Sequence, residues 1–307
     1  MGPILVALAA ILWATDALVR YPLIQPGPHG GLDPTFVVFF DHALAVAILT
    51  PFMFAKFRGQ LTKVSSAQWA GLFVLGGGAS AIATVLFTAS FRFVNPSVSI
   101  LLQKLQPVFV VLLAATFLGE RPKKAFWIWA PVALLAGLAI SFPGFDFSFL
   151  ESDALASKGS LYALSAASLW ALATVVGKGV VAKLPPMIVT YWRFVFGLVT
   201  LAGMLGFAGG FRAEAGSTLF GSLGDPYILR SLLYVALVPG LLALILYYQG
   251  MMRTTASKTT FMELLFPVTA VTLNTIFLDS PLLPIQAAAA LVLLFSITQI
   301  SIGDRRS

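Results

Sequence analysis

Residues 9–14 read Ala-Ala-Ile-Leu-Trp-Ala, and residues 166–171 read Ala-Ala-Ser-Leu-Trp-Ala. The offset is 157, and it lays Trp13 on Trp170. A second match, at an offset of 160, lays Leu105-Gln106-Pro107-Val108 on Leu265-Phe266-Pro267-Val268, and Phe117-Leu118 on Phe277-Leu278. A tryptophan with matched flanks and a proline at matched depth, both repeated half a chain later, read as a duplication. Chance likeness between apolar helices is the alternative. A weaker match of the second helix to the seventh sets His42 against Arg193.

The duplicated units are made of membrane helices. Of 307 residues, 59% are hydrophobic and 10% charged, with a mean hydropathy of +0.93. Soluble domains run at about 45–50% apolar and about 25% charged. A spanning helix needs about 20 largely apolar residues. Ten stretches qualify: 3–24, 34–55, 68–91, 96–117, 124–143, 159–180, 187–208, 228–249, 258–278 and 283–302. Prolines and glycines separate them, among them Pro122, Pro143-Gly144 and Pro185-Pro186. Five spans per unit is an odd number, so the second copy enters the bilayer from the opposite side. The expected fold is an all-α integral membrane protein of ten transmembrane helices. It comprises two inverted-topology five-helix repeats, 1–145 and 159–307, joined by an outer-side linker, 146–158. Secondary transporters built this way hold their substrate near the midplane between the repeats.

Charge gives the orientation. Twelve of the 19 Lys and Arg fall in loops on the side of the N-terminus and five in the opposite loops. That bias puts both termini in the cytoplasm of a multi-pass protein of the cell inner membrane. The formal net charge of +7 is therefore a topology signal, and nucleic acid is not an expected partner. The first 24 residues lack a basic leader and a small-residue cleavage site, and read as a retained helix. No cysteine is present, which excludes disulfides, thiolate metal sites and cysteine nucleophiles. Two histidines do not make a metal site, and no Walker-type stretch is present. No cofactor is expected.

The run Leu102-Gln103-Lys104-Leu105-Gln106-Pro107-Val108, with Phe117-Leu118-Gly119-Glu120-Arg121 after it, resembles the fourth-helix signature of the drug/metabolite transporter superfamily, EamA type. The repeated Leu-Trp-Ala and Arg193 early in the seventh helix agree with it. The resemblance covers the whole chain as two five-helix units. Within the superfamily, the chain is most similar to YddG-type exporters of aromatic and other amino acids. It departs from the pattern at His42, where many members carry Arg, and at Asp279-Ser280, which replaces Gly-Glu in the second copy.

Charged groups in a bilayer core cost about 2.5–3.5 kcal/mol each on insertion scales, so each needs an account. Asp16 and Arg20 are four apart on one face and can pair; a structural pair and an outer gate are both open. Asp41 and His42 lie inside the second helix, where His42 is a packing histidine or a proton relay. Gln103, Lys104 and Gln106 precede Pro107, as Glu263 precedes Pro267. Each proline weakens the carbonyl four residues back, those of Gln103 and Glu263. The two interrupted helices are a substrate site or merely kinks, the latter with Glu263 paired to Lys104. In the site reading, Glu263 and Gln103 suit an ammonium and Lys104 a carboxylate.

Trp13 and Trp170 fall mid-helix on the repeat. Tyr247 and Tyr248 end the eighth helix, matched in the third by Phe87 and Thr88. Ser80 and Thr84 share a face, either lining a cavity or letting helices approach closely. Trp69, Trp127 and Trp129 read as interfacial belt residues. Arg193 reads as snorkelling or as locked to a carbonyl or carboxylate of a neighbouring helix. By the resemblance, Glu120 and Arg121 form a gate or an ion pair between the halves; a solvated loop is the plain alternative.

The function these residues imply is secondary transport, in particular export of aromatic and other neutral amino acids by alternating access. The expected partners are a small-molecule substrate and the lipid bilayer; coupling to a proton and facilitated diffusion down an outward gradient are both open. A drug or nucleotide-sugar carrier is the alternative, though a nucleotide asks for more intramembrane cations than Lys104 and Arg193. An intramembrane enzyme is remote: Gly78-Ala79-Ser80-Ala81 lacks the final glycine of a rhomboid motif, and Ser222-Leu223-Gly224-Asp225 is only a partial aspartyl-protease motif.

Overall fold

A computed structural model describes residues 1–24, 27–90, 102–103, 105–122, 124–141, 158–207, 221–277 and 283–302. These are helical throughout apart from short turns, with no strand among them. Six helices are long and apolar enough to cross a bilayer. They are α1 (Gly2–Ile24), α2 (Pro34–Phe57), α3 (Ser66–Ser90), α6 (Lys158–Val181), α7 (Pro186–Phe207) and α8 (Pro226–Met251). Shorter helices are α4 (Gln106–Phe117), α5 (Lys124–Ser141), α9 (Ala256–Met262), α10 (Leu265–Phe277) and α11 (Pro284–Ile302). Lys104, Asp279-Ser280 and most of the expected linker 146–158 lie outside the described residues.

The helix starts follow capping chemistry. Asp33 caps α2 by accepting from the Thr35 amide at 2.7 Å, with Pro34 in the first turn where its missing N–H is harmless. Ser65 and Gln68 form a reciprocal capping box at the start of α3. Asp225 caps α8 from the Tyr227 and Ile228 amides. Helix α1 breaks at Thr15, whose amide and hydroxyl both donate to the Leu12 carbonyl.

Two helices carry a long π-helical segment, Val74–Ala83 in α3 and Ala236–Leu242 in α8. Wider π turns redirect carbonyls and are commonly found at functional sites. The first contains Gly76, Gly77 and Gly78, the second Pro239 and Gly240. The π segment of α3 packs on α7, and that of α8 packs on α2. A Cβ at Gly76 would collide with the Arg193 carbonyl and Phe196, so the glycine is what lets α3 and α7 approach. Helix α1 lies along the last turns of α8 as α6 lies along those of α3. Helices α5 and α11 also pack extensively on each other.

Trp127 is 59% exposed, as an interfacial residue should be. Trp69 and Trp129 are not lipid-facing belt residues. Trp69 stacks edge-on against Trp192 (centroids 4.7 Å apart) and Trp129 against Phe295 (5.1 Å), each half-buried beside the core.

Candidate substrate-binding site

Six helices converge on Tyr247. Its hydroxyl donates to Glu263 Oε1 at 3.0 Å and lies 3.3 Å from Thr174 Oγ1 of α6. Its ring meets Trp13 of α1, with centroids 5.0 Å apart. Gln106, at the start of α4, donates from Nε2 to Glu263 Oε2 at 3.4 Å. Both Glu263 oxygens thus accept a hydrogen bond, as a carboxyl group in a low-dielectric interior requires. Glu263 stands at the turn between α9 and α10 and remains half-exposed.

Across the bundle the related positions form a second corner. Trp170 of α6 lies against Phe87 of α3, centroids 5.2 Å apart. Its indole N–H donates to the Ala79 carbonyl at 3.0 Å, and Thr84 Oγ1 donates to the same carbonyl at 3.3 Å. The π segment presents that carbonyl sideways, which is why an indole from another helix can reach it. Thr174 Oγ1 also donates to the Trp170 carbonyl at 3.0 Å, joining this corner to Tyr247. Tyr248 packs beside Tyr247 and receives a hydrogen bond from Arg193 at 2.8 Å. Arg193 Nε donates to Ser80 Oγ at 2.5 Å, with the guanidinium 5.7 Å from the centre of the Tyr248 ring.

The structure therefore brings together Trp13, Ser80, Thr84, Trp170, Arg193, Tyr247, Tyr248 and Glu263. Trp13, Trp170, Phe87, Thr84, Arg193 and Glu263 are only half-buried, so this wall keeps surface for a ligand. Arg193 is locked, but to two hydroxyls rather than to a carbonyl or carboxylate. Ser80 is buried against Arg193 rather than open. Glu263 is held by a tyrosine and a glutamine; Lys104, its suggested partner, lies outside the described residues. Gln106, rather than Gln103, reaches Glu263; Gln103 is half-exposed. The carbonyl of Glu263 is not free. Pro267 cannot supply an amide to it, but the turn tightens and the Phe266 amide donates to it at 3.0 Å. Pro107 and Pro267 both lie in the first turns of their helices, α4 and α10. Thr174 and the Ala79 carbonyl were not legible in advance: a threonine on an apolar helix has no distinctive spacing, and a carbonyl exposed by a π turn leaves no residue signature.

Two groups of residues lie apart. Asp16 and Arg20 pair in bidentate fashion at 2.6 and 3.0 Å. His42 Nδ1 bonds the Val38 carbonyl at 2.8 Å and its ring meets Phe194 edge-on at 5.1 Å. At the other end, Glu120 accepts from the Ala256 amide (2.7 Å), the Ser257 amide (3.1 Å) and Ser257 Oγ (2.7 Å). It caps α9, satisfying amides that a helix start leaves orphaned. Arg121 beside it is exposed.

A model of the EamA-like transporter family matches residues 1–142 and 157–302. The chain belongs to the EamA-like transporter family. It is 32% identical, over 308 residues, to a protein named riboflavin transporter ImpX from Fusobacterium nucleatum subsp. nucleatum. That match covers 98% of this chain and 97% of the relative. A solved crystal structure superimposes with a TM-score of 0.75, covering 99% of this chain and 98% of the other at 18% identity, and so shares the fold. As an EamA-like protein the chain is a multi-pass membrane protein and a small-molecule transporter, not an enzyme.

Proposed function

We propose that this EamA-like protein is a secondary transporter that carries a flat heteroaromatic metabolite of the riboflavin type through the site around Tyr247. The observation that carries the reading is the pairing of two aromatic corners, Trp13–Tyr247 and Trp170–Phe87, with the hydrogen-bonding Glu263, Gln106 and Arg193 among them. Aromatic walls suit a planar ring system, and a few placed polar groups fix its orientation. An isoalloxazine has an imide N–H for Glu263 to accept and hydroxyls on its side chain for the half-exposed Arg193 to meet. The name of the 32%-identical relative points the same way.

Export of aromatic and other neutral amino acids is the second reading, and Glu263 favours it. A half-exposed carboxyl among aromatic rings suits an ammonium with an apolar side chain. The test is uptake into liposomes holding the purified protein, using labelled riboflavin, phenylalanine, methionine and threonine. Riboflavin uptake that cold riboflavin, but not phenylalanine, suppresses supports the first reading. Uptake of amino acids alone overturns it in favour of the second.

In this reading the chain has ten spans in two inverted five-helix repeats, 1–145 and 159–307, flanking the linker 146–158. Both termini are cytoplasmic in the inner membrane, and the halves rock about the central site. Support comes from the family match to two segments, and from α3 and α8 sharing a π segment at corresponding places. An accessibility scan checks it: residues 59 and 123 should react on one side, 29 and 153 on the other.

A further inference from the structure

Outside the substrate site, a second polar cluster lies where α1, α2, α7 and α8 meet. Asp41 and His42 of α2 are 7% and 3% exposed. Asp41 Oδ1, His42 Nε2 and Arg20 Nη1 are buried and have no hydrogen-bond partner among the described residues. His42 does not answer Asp41. Its Nδ1 carries the hydrogen that the Val38 carbonyl accepts and stands 3.8 Å from Asp41 Oδ2. Arg20 pairs with Asp16 through Nε and Nη2 and makes no hydrogen bond to Asp41. Arg193 is spent on Ser80 and Tyr248.

The backbone around these two side chains is cut to fit them. A Cβ at Gly240, in the π segment of α8, would overlap Asp41 Oδ1. It would also lie 3.0 Å from the Val235 carbonyl, so the carboxyl oxygen and that carbonyl face the same small space. Pro239 is four residues after Val235 and has no N–H to give that carbonyl, so the wider π turn brings the Gly240 amide to it instead. A Cβ at Gly197 of α7 would overlap the His42 ring. Asp41 Oδ1 faces the Val235 carbonyl oxygen with no donor of its own among the described residues, and a proton on the carboxyl group satisfies it.

We propose that Asp41 is the proton-binding site that couples transport to a proton gradient, seated against Gly240 and positioned by His42. This rests on the reading of the chain as a secondary transporter, not on the identity of its substrate. The step is a protonation: a proton from water forms an O–H bond on the Asp41 carboxylate, and the neutral acid seats against α8. On the other side of the membrane that O–H bond breaks and the proton returns to water. The bare carboxylate has no partner in this dry contact and draws α8 away from α2 to be hydrated. Helix α8 also carries Tyr247 and Tyr248, about 10 Å further along at 1.5 Å per residue. The Asp41 site thus abuts the π segment, and the helix running on from it links the two sites.

The ionisable groups facing Asp41 are few. Asp16 and Arg20 of α1 and Arg193 of α7 are within electrostatic range. His42 is its neighbour on α2. The π segment of α8 and the Thr84–Ser90 part of α3 carry no charged side chain. Earlier on α8, Arg230 is exposed and the Tyr234 hydroxyl donates to Thr15 Oγ1 at 2.8 Å.

The test has two arms. Wild-type protein in liposomes is treated with dicyclohexylcarbodiimide, which modifies protonated carboxyl groups in apolar surroundings, and the label is mapped by peptide mass spectrometry across a pH series. Labelling of Asp41 that declines as pH rises is expected; a label that misses Asp41 or ignores pH overturns the proposal. In the second arm, Asp41→Asn should lose accumulation of labelled substrate driven by a pH gradient, with the ratio of accumulation to exchange falling to its value without a gradient. Undiminished gradient-driven accumulation overturns the proposal. If neither riboflavin nor the amino acids exchange, while Asp41 still labels in a pH-dependent way, the substrate reading fails and the proton site stands.

Discussion

The two aromatic corners occupy related positions in the halves of the chain, yet their chemistry differs. Trp13 with Tyr247 and Trp170 with Phe87 correspond through offsets of 157 and 160. In the first corner the ring opposite tryptophan bears a hydroxyl, and that hydroxyl is donated to a carboxyl group. In the second it is a phenylalanine, and the tryptophan N–H goes instead to the Ala79 carbonyl, which also accepts from the Thr84 hydroxyl. The two walls share an aromatic shape, and only one carries a carboxyl group. In the proposed site a ligand between the corners would meet two similar walls but one acidic end, which is expected to fix its orientation.

The largest expected effect erases that difference. Glu263→Gln keeps the size of the side chain and removes its charge. A hydrogen bond to a charged group is worth about 1.5–3 kcal/mol, so substrate affinity in liposome exchange should fall roughly tenfold to a hundredfold. Affinity equal to wild type would mean the two corners are functionally alike. Trp13→Ala should cost less, about 0.5–1.5 kcal/mol beyond the lost area, and Trp13→Phe should restore most of it. Phe87→Tyr sharpens the comparison from the other side by giving the second corner a hydroxyl. It should alter the riboflavin-to-phenylalanine preference in competition assays by a few-fold at most, about 1 kcal/mol. Glu120→Ala, outside both corners, should lower stability by about 1 kcal/mol through the lost cap, read as a lower melting temperature in detergent, with Glu120→Gln milder.

The smallest effect concerns the surface. The hydrogen bond from His29 (2.6 Å) holds the Asp225 carboxyl below the usual carboxylate range, helped by the Tyr227 and Ile228 amides. A depressed carboxylate contributes stability above its unfolded value, near pH 4, and loses it as pH falls through the folded value. Asp225→Asn should therefore melt slightly below wild type at pH 7, and the gap should close below about pH 4.

The matched stretches were legible because tryptophan and proline are rare enough in apolar helices to mark register. They led directly to Trp13, Trp170, Tyr247 and Glu263. The family could be read from the Gln103–Glu120 region for the same reason. What stayed hidden was set by backbone geometry rather than residue type. Pro267 does mark a helix break just before it, but a tightened turn returns the Glu263 carbonyl to the Phe266 amide. The glycines at 76–78 suggested close approach or flexibility, yet nothing in their spacing announced a π segment or the carbonyl it turns outward. Asp41 looked like the lesser neighbour of His42; only the fit against Gly240 reveals it.

Helix α4 holds α9 at both ends. Gln106, at its start, bonds Glu263 at the end of α9, and Glu120, just past its finish, caps the first turn of α9. At 12 residues α4 is a strut about 18 Å long. Any turn of α9 about its axis breaks one grip and leaves the other as a fulcrum. On the proposed transport reading, a ligand that took Gln106 or Glu263 for itself would loosen one end of that lever and leave α9 held at Glu120. Water entering at Glu120 would release the opposite end and leave the ligand's side fixed. Filling the centre and unlatching the rim would then be two strokes of the same short arm.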